Sequence, residues 1–193
     1  MTRMLIIGPP GSGKGTQASR ITESLGIEAI STGDIFRFNV KEGTPLGVEA
    51  KKYIDAGDFV PDSVTNRMVE DRLNQEDVAD GFLLDGYPRT KGQVEALDGI
   101  LERAGKQLDV VLQLTADNEE LVKRLLGRAE QEGRADDTAE VIEHRLSLYE
   151  KETQPLVDVY AERGLLVRVD GLGEISEVTE RILEALKGKG GRK

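Results

Sequence analysis

The residues best suited to chemistry lie near the start of the chain, in Gly8-Pro9-Pro10-Gly11-Ser12-Gly13-Lys14-Gly15-Thr16. This run follows a short apolar stretch, Met4–Ile7, and opens an amphipathic one. Glycines there let several backbone N–H groups converge on phosphate oxygens, and the helix start adds a favourable dipole. Lys14 can then reach the outer phosphates of a nucleotide. The strict phosphate-loop pattern has Ser or Thr directly after the lysine; here Gly15 separates Lys14 from Thr16. A glycine turn with no ligand is the plain alternative, and the density of Gly and Pro in a strand-to-helix context weighs against it.

A second stretch is Gly81-Phe82-Leu83-Leu84-Asp85-Gly86-Tyr87-Pro88-Arg89. An acid ending a buried strand beside a phosphate loop can hold Mg²⁺ directly or through water, though capping the next element would also explain Asp85. Arg89 then falls at the carboxyl edge of the sheet, where ligands bind in such folds. Further arginines, Arg37, Arg128, Arg134 and Arg145, sit at loop and edge positions. Arg145 shares a helical stripe with Val141, Ile142, Leu148 and Tyr149, so its charge needs a partner: Asp136, Asp137 or a bound phosphate. No residue set suggests acid–base or covalent catalysis. A phosphate oxygen acting as nucleophile needs neither, because it is already anionic; alignment and charge neutralisation suffice.

Composition removes other classes. The 193 residues carry a formal net charge of −10, which argues against general nucleic-acid binding or attachment to an anionic membrane. With no cysteine and His144 the single histidine, disulfides, thiolate zinc sites and His clusters are excluded, and no structural zinc is expected. An oxygen-liganded Mg²⁺ stays available. The early apolar run is too short for a secretory core or a membrane span, so a cytoplasmic protein is expected.

Apolar runs at Met4–Ile7, Glu28–Ile30, Phe82–Leu84, Val110–Leu114 and Leu165–Val169 alternate with amphipathic stretches at Gly15–Leu25, Asp62–Leu73, Gln93–Ala104, Glu119–Leu126 and Glu174–Lys187. This is the pattern of an α/β fold, a central parallel sheet flanked by helices. A long helical stretch from Thr138 to Arg163 should kink or divide at Pro155. Two excursions interrupt the alternation: 31–60, with about two helices' worth of sequence, and the short charged 127–137. The core is then 1–30, 61–126 and 138–187, with a frayed tail at 188–193.

Four ordered motifs resemble those of adenylate kinases: Gly8–Thr16; Ser31-Thr32-Gly33-Asp34 with Arg37; Asp85–Arg89 with Gln93; and Arg134-Ala135-Asp136-Asp137. The resemblance runs from Met4 to about Leu186. It implies a P-loop three-layer fold with two small mobile excursions, and transfer between Mg·ATP and AMP to give two ADP. Gly11, Ser12, Gly13, Lys14, Gly15 and Thr16 would cradle the ATP phosphates, with Arg128 on ATP and Gly173 offering backbone to its adenine. Segment 31–60 would be the AMP flap: Thr32 and Asp58, Phe59 and Val60 on the base and ribose side, Arg37 on the phosphate. Gly86, Tyr87, Pro88 and Arg89 would line the AMP site, Gln93 would bond its adenine, and Arg134 and Arg145 would meet the phosphates. Lys14, Arg89, Arg128, Arg134 and Arg145 would be catalytic, with Asp85 holding Mg²⁺ through water and Thr16 a second candidate ligand.

Only five residues separate Arg128 from Arg134, the short, metal-free form of the family's lid, and Tyr87 stands where many members carry Phe. The implied partners are ATP, AMP and ADP alone, bound by a monomer. A kinase for UMP or CMP is the nearest alternative, against which Gln93 speaks because its amide both donates and accepts. A P-loop hydrolase or switch is the other; it leaves the second set of arginines unexplained, and no N-K-x-D motif is present.

Overall fold

The computed structural model describes residues 2–133 and 138–189. Five strands, β1 (Arg3–Ile7), β2 (Glu28–Ser31), β3 (Phe82–Asp85), β4 (Val110–Thr115) and β5 (Leu166–Asp170), form one parallel sheet in the order β2-β3-β1-β4-β5. Each predicted apolar run finds its strand, with ends displaced by no more than one residue.

The strands read as continuous apolar runs because both faces of the sheet are covered. Alternate side chains of β1 feed two cores. Leu5 and Ile7 join Phe82, Leu84 and Val111 under α4 (Asp62–Leu73), α5 (Lys91–Arg103) and α8 (Gln154–Glu162). Met4 and Ile6 join Leu83, Leu112 and Leu114 under α1 (Lys14–Leu25) and α9 (Ile175–Lys187). Met4 and Leu5 are fully buried, each contributing roughly 1.5–3 kcal/mol.

Segment 31–60 folds as α2 (Thr32–Glu42) and α3 (Pro45–Ala56), two helices as the sequence suggested. Ser31 caps α2 by accepting from the Asp34 N–H, and Thr44 caps α3 by accepting from the Gly47 N–H. The helices pack so closely that a Cβ on Gly47 would lie 2.0 Å from the Asn39 carbonyl oxygen, so only glycine fits. Phe36, Ala50 and Val60 give this pair a core of its own.

Two boundaries differ from the sequence reading. Helix α6 (Asn118–Glu132) continues through Gly127 instead of ending at Leu126. Leu121 and Leu125 anchor it in the core, and the Arg, Ala, Glu and Gln that follow are strong helix formers needing no burial. The stretch expected to divide at Pro155 divides just upstream. Helix α7 (Ala139–Leu148) passes into a π-helical turn, Tyr149–Thr153, and Pro155 lies in the first turn of α8. Pro155 has no N–H to offer the Lys151 carbonyl, and the chain widens where that bond is lost.

Candidate active site

Strand β1 delivers the phosphate loop to the carboxyl edge of the sheet. The loop closes with the Ser12 N–H donating to the Pro9 carbonyl at 3.1 Å, and Gly13 enters α1 at φ 92°. No side chain caps α1 and its first turn holds no acid, so its N-terminal N–H groups and dipole are available to an anion. The loop forms one wall of a cleft of about 550 Å³, contributing Gly11, Gly13, Lys14, Gly15 and Thr16. Ser12 is buried behind the loop, its hydroxyl without a hydrogen-bond partner.

Strand β3 ends alongside, paired with β1 so that Asp85 is level with Ile6. Its carboxylate lies 3.9 Å from Lys14 Nζ, with side-chain exposures of 13% and 18% respectively. Burial pushes the Lys14 ammonium below the usual lysine range; Asp85 opposes this, while Arg89, Arg128 and Arg37 add to it. Burial likewise lowers the Arg89 guanidinium, with Asp85 opposing and Arg145 and Arg37 adding. Cations near enough to weaken one another mark a cleft shaped for a highly charged anion.

The opposite wall comes from α2, α3 and the segment after β3. Gly86 has φ 87°, and a Cβ on it would lie 2.6 Å from the Thr32 hydroxyl, so the β3 end and the α2 start require glycine to meet. Arg37 reaches Asp34 at 2.6 Å. The Arg89 guanidinium lies over the Phe59 ring, 5.4 Å from its centroid. Asp58 is tied to α7 by a 2.6 Å contact with His144 Nε2, so the single histidine has a partner in segment 31–60. Tyr87 is buried, its hydroxyl donating to Asn66 Oδ1 at 2.7 Å; burial, with Asp62 and Glu70, pushes the phenol far above its ordinary pKa.

Most residues singled out from the sequence line this cleft: the loop from Gly11 except Ser12; Thr32, Arg37 and Asp58–Val60; Asp85–Arg89 and Gln93; Arg128 and Arg145. Gly173 lies apart from the lining, beside the Arg181 guanidinium. Arg134, with Asp136 and Asp137, lies outside the described residues.

Among the contributors that sequence reasoning missed, three bear on the chemistry. Arg124, one turn before Arg128, lines the cleft with Nη1 3.5 Å from the Gly11 and Gly171 carbonyls; its i, i+4 spacing to Arg128 was the available signal. Tyr149 and Thr153 reach the cleft from the π-helical turn; the stripe Tyr149 shares with Arg145 was its signal, and Thr153 carries no local one.

A phosphate loop at a parallel-sheet edge, facing a second cationic wall across one cleft, defines a P-loop phosphotransferase. The sequence model of the family described as adenylate kinase matches residues 6–165. The chain is 68% identical to the adenylate kinase of Pseudarthrobacter chlorophenolicus over 97% of both chains. It is equally similar to that of Kocuria rhizophila, covering 97% of this chain and all of the relative, and 60% identical to that of a Nocardioides species over 95% and 96%. The chain belongs to the adenylate kinase family.

Proposed function

We infer that the cleft carries out reversible phosphoryl transfer from Mg·ATP to AMP, giving two ADP. The observation that carries this is the meeting of cations from both walls in one cleft: Lys14, 3.9 Å from Asp85, and Arg128 on the loop side face Arg37, Arg89 and Arg145 on the other. A hydrolase, which brings one phosphorylated molecule to water, has no use for the second wall.

In this reading an AMP phosphate oxygen attacks the γ-phosphorus. Its new P–O bond forms as the bond to the β,γ-bridging oxygen breaks, and the electron pair leaves on ADP. Backbone N–H groups of Gly11 and of 13–16, with the Lys14 ammonium, hold the donor phosphates, with Arg128 beside them. Arg37, Arg89 and Arg145 hold the acceptor phosphate and neutralise charge between the two molecules. Thr32, Asp58–Val60, Gly86–Pro88 and Gln93 take the acceptor nucleoside; Arg134, outside the described residues, is assigned to the phosphates on the resemblance alone. Gly173 is assigned to the donor adenine on the resemblance alone.

The residues fit a nucleotide-borne Mg²⁺. Asp85 is a strand-end carboxylate beside the loop, Thr16 lines the cleft from the first turn of α1, and neither would need another protein ligand with phosphates and water completing the shell. When bound, the ion supplies neutralisation of the phosphate oxygens. Segment 31–60 closes over the nucleotides and excludes water; the short lid read at 127–137 is assigned the same role on the resemblance alone, its first residues belonging to α6 and 134–137 lying outside the described residues. The enzyme works as a cytoplasmic monomer. No helix among the described residues is long and apolar enough to cross a membrane. A coupled assay of ADP formation, with ATP and AMP, CMP, UMP or GMP, tests the reading. Turnover with AMP is expected; phosphate release without an acceptor, or equal use of another monophosphate, overturns it.

A further inference from the structure

Gln93 is 2% exposed, and its amide is held from both ends. Its Oε1 accepts from the Arg89 backbone N–H at 2.7 Å, and its Nε2 donates to Asp62 Oδ1 at 2.9 Å. Asp62 opens α4 and also accepts from the Thr90 hydroxyl, at 3.1 and 3.2 Å to its two oxygens. Thr90 in turn caps α5, accepting from the Gln93 N–H at 3.2 Å. The carboxylate sits so close over this turn that a Cβ on Gly92 would lie 2.8 Å from Oδ2.

A primary amide is nearly symmetric in shape, so a glutamine in a base pocket can rotate by half a turn and exchange its donor and acceptor. Here it cannot. A carboxylate offers only acceptors and a backbone N–H only a donor, so a rotated amide would set oxygen against oxygen at Asp62 and N–H against N–H at Arg89. One lone pair on Oε1 and one hydrogen on Nε2 are left over, in fixed places. Adenine presents an amino donor beside an unprotonated ring nitrogen, which matches that pair. A 6-oxopurine has the same shape with the two roles reversed, and only a rotated glutamine would match it.

We propose that Asp62 is a specificity-determining positioning residue: it never meets the base, but it locks the Gln93 amide in the orientation that accepts adenine and rejects 6-oxopurines. The proposal rests on the reading of Gln93 as the acceptor-base contact.

The test is steady-state kinetics with AMP and IMP as rival acceptors, the two differing in size hardly at all. The wild-type protein should prefer AMP by roughly 10³-fold or more in kcat/KM, as sites that hydrogen-bond a substrate do. Asp62→Leu should raise the KM for AMP about tenfold, reduce kcat far less, leave the KM for ATP unchanged and shrink the AMP:IMP ratio at least tenfold. Asp62→Asn, whose amide can turn either its oxygen or its NH2 toward Gln93, should recover much of the AMP KM but only part of the ratio, whereas Asp62→Glu, which keeps an acceptor-only group, should recover more of it. Adding Gln93→Leu to Asp62→Leu should change the ratio no further. Asp62→Ala carries the same expectation if the leucine variant does not fold. An undiminished AMP:IMP ratio in the folded variant overturns the proposal, and so does a loss shared equally by AMP, IMP and ATP. A wild-type protein indifferent to the acceptor base would instead overturn the AMP reading on which it rests.

Discussion

The Thr153 hydroxyl donates to the Arg89 carbonyl oxygen at 2.8 Å, joining the π-helical turn to the segment that ends β3. With the Arg89 N–H donating to Gln93, both polar groups of the Arg89 backbone are held by side chains from other elements. The arginine therefore projects from a fixed base, and its guanidinium is steadied again over Phe59.

Thr153→Val keeps the shape of this contact and removes the donor. Loss of one buried hydrogen bond should lower stability by about 1–2 kcal/mol. A loosened Arg89 should lower kcat by about tenfold, because alignment is the chief catalytic device in phosphoryl transfer. Thr153→Ser should restore both. Denaturant melts and initial rates of the three proteins check this, and a valine variant with normal kcat would remove Thr153 from the catalytic account.

Lys14→Met should abolish transfer and leave the fold intact, because the ammonium serves the ligand while burial and neighbouring arginines oppose its charge. The linked pH dependence has a definite sign. The folded pKa lies below the unfolded one, so between the two values the unfolded chain holds the extra proton and raising pH favours folding. The cost of the buried ammonium is present in full below the folded pKa and is gone above the ordinary lysine value. Without nucleotide, the melting temperature of wild type relative to the methionine variant should therefore climb on the alkaline side. A flat difference would mean that the lysine is well solvated.

Arg145→Ala distinguishes two roles for a cation on an apolar helical stripe. As a phosphate contact that serves the transition state most, its loss should cost about 10³-fold in turnover, the scale set by arginines in other phosphoryl transfers, with a smaller change in substrate binding. The melting temperature should hold steady or rise. A variant that melts many degrees lower yet turns over normally when cold would make Arg145 a structural ion-pair member instead.

Metal should matter for turnover and not for folding. Among the described residues no cluster of three or more His, Cys, Asp or Glu could hold an ion. Chelation should reduce transfer to background, and added Mg²⁺ should restore it, with the nucleotide-free melting temperature steady to within about 1 °C. A large fall in melting temperature would reveal a structural metal.

What the sequence made legible was local. The phosphate loop announces itself because glycine density, a preceding strand and a lysine are neighbours in the chain, and Asp85 and Arg89 follow an apolar run in the same way. Asp62 and Gln93 were not legible as a pair, because 31 residues separate them and only the packing of α4 against α5 brings their side chains together. Thr153 was hidden for a related reason: a π-helical turn rotates it toward Arg89, and the expected break at Pro155 located that disturbance without showing what it presented. The end of α6 was misread because a solvated helix turn and a charged loop have the same composition.

The strand order also sets a timetable. Strand β1 is synthesised first, yet its partners are β3 and β4, beginning at Phe82 and Val110. At a translation rate of ~5–20 residues per second, Met4–Ile7 waits roughly 4–15 s for its first sheet neighbour. The phosphate loop hangs from that strand, so the part of the chain that names the enzyme most clearly leaves the ribosome well before the strands that fix it, and cannot take its working shape until β3 has followed it. A nascent chain halted before Phe82 should bind no nucleotide, although it carries the whole loop.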